Sequence, residues 1–128
     1  YRTRAGLRLL VTNKTFDPND PAVERMMTEL NCDPLYIRLC KQQECFRARL
    51  TPKPWRCGCP APALKYPFES PRMEKYFREW LDDYRVACEG WDVCRLLESI
   101  GTEVSPEVAP ILDLHDRRCI QNEGQDLA

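Results

Sequence analysis

Apolar residues recur at helical spacing in three well-marked parts of the chain. The strongest pattern begins after Ser70 and runs to Cys88, with apolar side chains at i, i+3, i+4 and i+7 over about four turns. Two shorter patterns begin after Asp20 and Asp33, and each has a proline at the first helical position. An aspartate before a proline is a typical helix start, because the carboxylate caps the amides that the first turn leaves unpaired. These segments are predicted helices.

Two further helices are predicted towards the carboxyl end. Trp91, Cys94, Leu97 and Ile100 form a stripe at helical spacing, and Gly101 follows in the position where a glycine commonly ends a helix. The last helix is expected to begin at Ser105 and to continue to Cys119. Pro110 lies inside this pattern, and it predicts either a kink or a late start because proline lacks a backbone donor.

Alternating apolar and polar residues predict two strands, because side chains of a strand point to opposite faces in turn. The first covers residues 1–12, and the second covers residues 45–51. Paired with each other, they would turn one apolar face towards the helices. That face would consist of Leu7, Leu9, Val11, Phe46, Ala48 and Leu50. The opposite face would carry Arg2, Arg4, Arg8, Arg47 and Arg49.

These elements predict an α+β class, in which a small β-sheet (a βααβ unit) packs on helices and a helical half follows. A chain of 128 residues fits a single domain. Its expected segments are a strand and helix unit (1–57), a proline-rich connector (58–69), a helical half (70–120) and a flexible tail (121–128). Since two strands rarely form a stable sheet, a third is expected from residues 63–68, from a partner copy, or from residues that precede Tyr1 in a longer chain.

The charge is unevenly distributed, although the formal net charge is only -1. Residues 38–56 carry six basic side chains against one acidic side chain, Glu44, so that the rest of the chain is acidic. The small total argues against nucleic-acid binding by bulk charge but leaves a local basic patch open. The hydrophobic content of 43% without a long apolar run predicts a domain outside the membrane.

The arginine-bearing sheet face is a candidate binding site for phosphate groups or single-stranded nucleic acid. A guanidinium is planar and suits phosphate, and aromatic rings beside such charges can stack on bases. The candidate residues are Arg8, Arg47, Arg49, Lys53, Trp55 and Arg56. The competing interpretation is a solvated face whose arginines pair with some of the 20 acidic residues.

The eight cysteines and the single histidine raise the possibility of a zinc site. Cys57 and Cys59 would supply two thiolates on a tight turn. Either Cys88 with Cys94, or His115 with Cys119 four residues apart on one helix face, would complete four ligands. The alternative is that the helical cysteines are small core hydrophobes and His115 is a packed histidine. The cysteines on apolar helix stripes favour reduced thiols and a cytoplasmic location.

No complete catalytic constellation is visible in the sequence. One histidine rules out sites that need several, the five glycines form no phosphate loop, and the chain has no Asp-x-Asp pair. A binding module is therefore favoured over an enzyme.

Three stretches, YRTRAGLRLL, CDPLYIRLC and CFRARLTPKPWRC, resemble a signature of a family of uncharacterised bacterial proteins. A second, more remote resemblance lies in the order of the elements, which is a strand with a Thr-x-x-Gly turn, a helix, an Asp-Pro helix and a strand ending in Arg-x-Arg-Leu-x-x-Lys. This order resembles part of the core of archaeo-eukaryotic-type primases and primase-polymerases. The resemblance implies contact with nucleotide phosphate at Arg8, where that family has a histidine. That family's acidic metal motif precedes the matching region.

Two functions remain open at this point. One is a phosphate or nucleic-acid binding module, with single-stranded nucleic acid or a nucleotide as its partner. The other is a non-enzymatic protein-interaction or oligomerisation domain that docks a partner, or a second copy, through an unmatched strand edge or the aromatic helix.

Overall fold

The computed structural model describes residues 1–120 and 126–128 and has the α+β architecture that the sequence predicts. The chain forms two compact units that alternate along the sequence. The first unit consists of Tyr1–Leu10, Leu50–Gly101 and Asp113–Ala128, and the second consists of Val11–Arg49 and Thr102–Leu112. The predicted segments were consecutive, whereas these units are interleaved.

Capped helix starts lie where the sequence predicts them. Asp20 and Asp33 each accept a hydrogen bond from the amide two residues later, at 2.8 Å, and Ser70 accepts one from Met73. Pro110 delays the last helix, which begins at Ala109 rather than at Ser105. No helix in the described part of the chain combines the length and apolar character needed to cross a bilayer. The helices are α1 (Pro21–Glu29), α2 (Pro34–Gln42), α3 (Pro71–Cys88) and α4 (Ala109–Cys119).

Among the described residues of the first unit, five two-residue strands form two small sheets. The first sheet has the order β2-β1-β4 and is antiparallel, and the second pairs β3 with β5 in parallel. In the first sheet, Arg2 lies opposite both Leu7 and Arg95, and Thr3 lies opposite both Gly6 and Cys94. The strands are β1 (Arg2–Thr3), β2 (Gly6–Leu7), β3 (Trp91–Asp92), β4 (Cys94–Arg95) and β5 (Asp126–Leu127).

The core of the first unit lies where β4 meets the end of α4. Val93, Cys94 and Cys119 are buried together, and the Val93 amide donates to the Cys119 carbonyl at 2.9 Å. Two aromatic side chains of α3 hold residues 52–60 by hydrogen bonds to backbone carbonyls. Trp80 donates from its indole nitrogen to the Pro60 carbonyl, and the Tyr84 hydroxyl donates to the Pro52 carbonyl.

The second unit has its own small core between α1 and α2. Val23, Met27 and Cys40 are buried there, with Phe16 and Tyr36 among the partly buried residues around them. An ion pair between α1 and α2 joins Lys41 to Glu24 at 2.8 Å. The two helices therefore pack on each other through apolar side chains.

Both predicted long strands are wrong. Residues 1–12 contain a hairpin instead of one strand, because the chain reverses after Thr3, and Leu7 is 71% exposed. Residues 45–51, all of them described, form no strand. β1 already has a neighbour on each edge, and the Arg47 amide donates to the Tyr36 hydroxyl instead of to a sheet. The predicted sheet face joining Arg8 with Arg47 and Arg49 therefore does not form.

Other differences lie after α3. Residues 91–100 were predicted as a helix, but they contain β3 and β4, and Ile100 is 88% exposed rather than part of a buried stripe. The third strand of the sheet is β4, and the described residues 63–68 form none. The expected flexible tail differs too, since Asp126–Leu127 form β5 and Ala128 is buried. The part of the predicted tail at 121–125 lies outside the described residues.

Candidate functional sites

Two candidate sites lie in the first unit, one buried and one exposed. The buried site, here named the thiol-imidazole cluster, consists of Cys94, His115 and Cys119. Each offers one ligand atom, and these atoms all lie within 4.8 Å of one another. The cysteines have no exposed surface, and His115 is 3% exposed. The exposed site, here named the arginine cleft, is a cavity of about 440 Å³. It is lined by Arg2, Thr3, Arg4, Arg95, Asp126 and Leu127.

The thiol-imidazole cluster is assembled by α4 and β4. His115 and Cys119 are four residues apart on α4 and so project from the same face of the helix. Cys94 comes from β4, whose pairing with β1 places it opposite Thr3, on the side of the sheet that faces the core. A local helix spacing therefore supplies two of the ligand atoms, and a long-range strand pairing supplies the third.

Hydrogen bonds fix the tautomer of His115. Its Nδ1 lies 2.8 Å from Oδ1 of Asp116, and its Nε2 lies 2.7 Å from the Arg8 NH1 nitrogen. A guanidinium can only donate, so Nε2 accepts from Arg8 and Nδ1 donates to the carboxylate. The Tyr1 hydroxyl donates to the same Asp116 oxygen at 2.8 Å, and the Tyr1 ring packs edge-on against the imidazole. The lone pair of Nε2 thus faces the Arg8 guanidinium, and Sγ of Cys94 lies 3.8 Å from the same nitrogen.

Arg8 also places a positive charge against both sulfurs. Its NH1 nitrogen lies 3.5 Å from Sγ of Cys119 and 3.9 Å from Sγ of Cys94. The pKa of Cys119 is lowered to about 6, chiefly by a hydrogen bond from Cys94, with Arg8 contributing. That hydrogen bond, followed by burial, raises the pKa of Cys94. Of the two thiols, Cys119 is therefore the one that loses its proton more readily.

No protein family, curated protein or solved structure matches this chain. The sites are therefore interpreted from their own geometry.

The arginine cleft follows from the register of the β2-β1-β4 sheet. Arg2 and Arg95 are direct cross-strand partners, so their side chains project from the same face, opposite to the face that carries Thr3 and Cys94. Arg4 lies in the turn after β1, and its NH1 nitrogen donates to the Leu127 carbonyl at 3.1 Å. Three guanidinium groups therefore line one open cavity, together with the carboxylate of Asp126.

The predicted phosphate-binding residues are not brought together as expected. Arg8 points to the thiol-imidazole cluster and not to a ligand surface. Arg47 and Arg49 are exposed in the second unit. In the first unit, Lys53 lies over the ring of Trp55 at 5.3 Å, and Trp55 is 64% exposed on a short 3₁₀ turn that ends at Arg56.

The predicted zinc ligands are divided in a similar way. His115 and Cys119 belong to the thiol-imidazole cluster, and Cys94 joins them without Cys88. Cys57 instead lies near Cys88, with 3.9 Å between their sulfur atoms, and Cys59 is buried. Asp116 and Arg95 were not proposed from the sequence. The His115-Asp116 dipeptide was a usable indication of the first, whereas the role of Arg95 depends on strand register.

A further cavity, of about 530 Å³, lies in the second unit. Its lining includes Glu24 and Lys41, whose charges pair with each other. Arg38 also lines it. The rest of its wall mixes polar and apolar residues, which are Thr28, Asn31, Cys32, Pro34, Ile37 and Gln42. This cavity therefore offers no excess of charge comparable to that of the arginine cleft.

Proposed function

We propose that this chain binds phosphate groups, as carried by single-stranded nucleic acid or nucleotides, through the arginine cleft. The observation that carries the proposal is the direct cross-strand pairing of Arg2 with Arg95 on a face that Arg4 also borders. Guanidinium groups bind phosphate with two parallel hydrogen bonds, which suits this arrangement.

The exposed cleft is a better candidate for an external ligand than the thiol-imidazole cluster. Cys94 and Cys119 have no exposed surface, so a substrate does not reach them from solvent. The described residues that line the cleft supply guanidinium groups and the Asp126 carboxylate, without a nucleophile held by a base. The proposed activity is therefore binding and not catalysis.

Two further features support a nucleic-acid ligand. Trp55 is exposed and has Lys53 beside its ring, which is the combination of stacking surface and positive charge that single strands use. The resemblance to primase cores suggests the same ligand chemistry, although it placed the phosphate contact at Arg8. A reducing, cytoplasmic setting belongs to this proposal, and it is supported by eight described cysteines that form no disulfide.

The test is the salt dependence of binding to a fluorescein-labelled oligothymidylate, followed by anisotropy. The Arg2→Gln/Arg95→Gln double variant should weaken binding and make the slope of log K against log salt shallower by about 1.4, since each single-strand phosphate contact contributes about 0.7. The matched control is Arg78→Gln/Arg85→Gln on α3. It removes the same charge from exposed residues outside the cleft, whose guanidinium groups lie beside Glu74 and Asp82.

Equal weakening by both double variants would mean that bulk charge and not the cleft binds the strand. Absence of binding to the wild-type protein at low salt would overturn the proposal. A free nucleotide added as competitor distinguishes the two ligand sources. If the nucleotide displaces the oligonucleotide at concentrations near the dissociation constant of the oligonucleotide, the cleft is a nucleotide site. If it does not, the ligand is single-stranded nucleic acid.

A second candidate function, docking of a partner protein, is favoured by exposed apolar side chains between β4 and Gly101. Leu96, Leu97 and Ile100 are exposed, the last at 88%. Exposed apolar clusters on a protein surface commonly mark interaction sites. Self-association through this segment predicts a dimer in light scattering that Ile100→Lys converts to a monomer. A wild-type protein that is monomeric at high concentration would exclude a homodimer.

A further inference from the structure

We propose that Cys94, His115 and Cys119 bind a zinc ion that joins β4 to α4. This site is separate from the arginine cleft, because Cys94 lies on the opposite face of the β2-β1-β4 sheet from Arg2 and Arg95. Two sulfurs and one imidazole nitrogen form a ligand set typical of zinc. All three come from buried side chains that the fold already holds together.

The spacing of the ligand atoms fits a tetrahedral ion with small adjustments. Zinc bonds of roughly 2.0 to 2.3 Å place tetrahedral ligand atoms about 3.5 to 3.8 Å apart. Sγ of Cys94 lies 3.8 Å from Nε2 of His115, and the three atoms lie within 4.8 Å of one another. Movement of about an ångström, within reach of a change in side-chain rotation, completes the geometry.

The surroundings of His115 are those of a metal-binding imidazole. Zinc-bound histidines usually donate their second nitrogen to a carboxylate, which orients the ring and leaves the other lone pair for the metal. Asp116 accepts from Nδ1 in this way, and the Tyr1 hydroxyl donates to the same carboxylate oxygen. The hydrogen bonds therefore hold Nε2 beside Sγ of Cys94 before a metal binds.

The position of Arg8 indicates where the ion would lie. One nitrogen, NH1, contacts all three ligand atoms, at 2.7, 3.5 and 3.9 Å. A cation is thus held at the meeting point of two sulfurs and a ring nitrogen. Zinc would replace the guanidinium there, since two positive groups would repel each other at this distance. Arg8 is only half-buried, so its side chain has a route to solvent. Its withdrawal leaves the fourth coordination position to a water molecule or another oxygen ligand.

The alternative is a polar cluster that Arg8 holds without any metal. Both arrangements satisfy the buried groups, but they differ in what the purified protein contains. With zinc bound, the ion links a strand to a helix that are distant in sequence. Because the unfolded chain lacks that arrangement, binding would raise the stability of the first unit.

The experiment measures metal content and coordination in the full chain, purified with a phosphine reductant. We expect about one zinc ion per chain by mass spectrometry, as for a single site. Cobalt titration of the metal-free protein should give thiolate-to-cobalt absorption that zinc then abolishes. The Cys119→Ser and His115→Gln variants should lose both the bound zinc and the thiolate-to-cobalt absorption. Cys57→Ser, which changes a cysteine outside the cluster, should keep them.

X-ray absorption by zinc in the wild-type protein keeps the test decisive if the cluster variants do not fold. Two sulfur ligands at about 2.3 Å, with nitrogen or oxygen completing the shell, support the site. A shell of four sulfurs, or one without sulfur, overturns it. So does zinc or cobalt that remains bound in folded Cys119→Ser, or a wild-type protein that binds neither ion at micromolar concentration.

Discussion

Substitution of Arg8 by methionine should destabilise the metal-free protein. Methionine keeps an apolar stem of similar length but removes the guanidinium. The main loss is the hydrogen bond from NH1 to Nε2 of His115 at 2.7 Å, together with the longer contact to Cys119 at 3.5 Å. A hydrogen bond that involves a charged group contributes about 1.5 to 3 kcal/mol net. The free energy of unfolding should therefore fall by about this amount.

The assay is urea denaturation followed by circular dichroism, in the presence of a chelator. A loss of about 2 kcal/mol lowers the urea midpoint by roughly 1 M, given slopes of about 1 to 3 kcal/mol per molar urea. Arg78→Met is the matched control, because its guanidinium pairs with Glu74 on an exposed helix face. Such a pair contributes at most about 1 kcal/mol.

A midpoint for Arg8→Met that is no lower than that of the control would refute the inward position of Arg8. The same variant separates the structure from the sequence-based hypothesis, in which Arg8 binds phosphate. If Arg8 points to the thiol-imidazole cluster, then Arg8→Met should leave the salt slope of oligonucleotide binding unchanged, at temperatures where the variant is folded. A slope reduced to the same extent as in an Arg2→Gln variant would instead support phosphate binding by Arg8.

Two further predictions concern residues outside both candidate sites. The sulfurs of Cys57 and Cys88 lie 3.9 Å apart, so added glutathione disulfide should oxidise them to a disulfide and release two reduced glutathiones per bond. Peptide mapping should find this pair before any other. A different first pair would contradict the placement of Cys57 beside α3. Burial raises the pKa of Tyr36 to about 12 from 10.0, so the folded state keeps this proton longer than the unfolded state does, and stability should fall as pH rises from 10 to 12. Tyr36→Phe should show a shallower fall in alkaline urea titrations, and an unchanged fall would show that other groups cause it.

The helices were largely predictable because their start signals are local. An aspartate or serine followed by a proline fixes the first turn through neighbouring atoms alone, and α1, α2 and α3 begin at Pro21, Pro34 and Pro71 as expected. Even the late start of α4 follows from Pro110. Such signals need no knowledge of the rest of the fold.

The strands were not predictable in the same way, because alternation does not reveal where a chain turns. The sequence pattern placed Arg2 and Arg8 on one face of a continuous strand. In the hairpin, Arg8 exchanges backbone hydrogen bonds with Tyr1, and Arg2 pairs with Leu7. Adjacent pairs in an antiparallel ladder face opposite sides, so the turn moves Arg8 inward while Arg2 stays outward.

The thiol-imidazole cluster was half predictable for a related reason. The four-residue spacing of His115 and Cys119 is readable from the sequence, since both lie on one helix face. Cys94 was assigned to a helix stripe, and its place beside them depends on a strand of two residues that pairs with β1. Which distant segments pair depends on competition among all the strands of the fold. A two-residue strand has too few side chains to indicate its partner from the sequence alone.

The two candidate sites depend on one register of the β2-β1-β4 sheet. Cys94 and Arg95 are neighbours on β4, so one points to the core and the other to solvent. A shift by one residue would exchange them, burying a guanidinium and exposing the thiol. Strands of two residues specify register weakly, because they make few contacts on either face. An ion bound through Cys94 would therefore fix the side of the strand that faces α4. The same ion would thereby fix the outward position of Arg95 beside Arg2, which the proposed phosphate site requires.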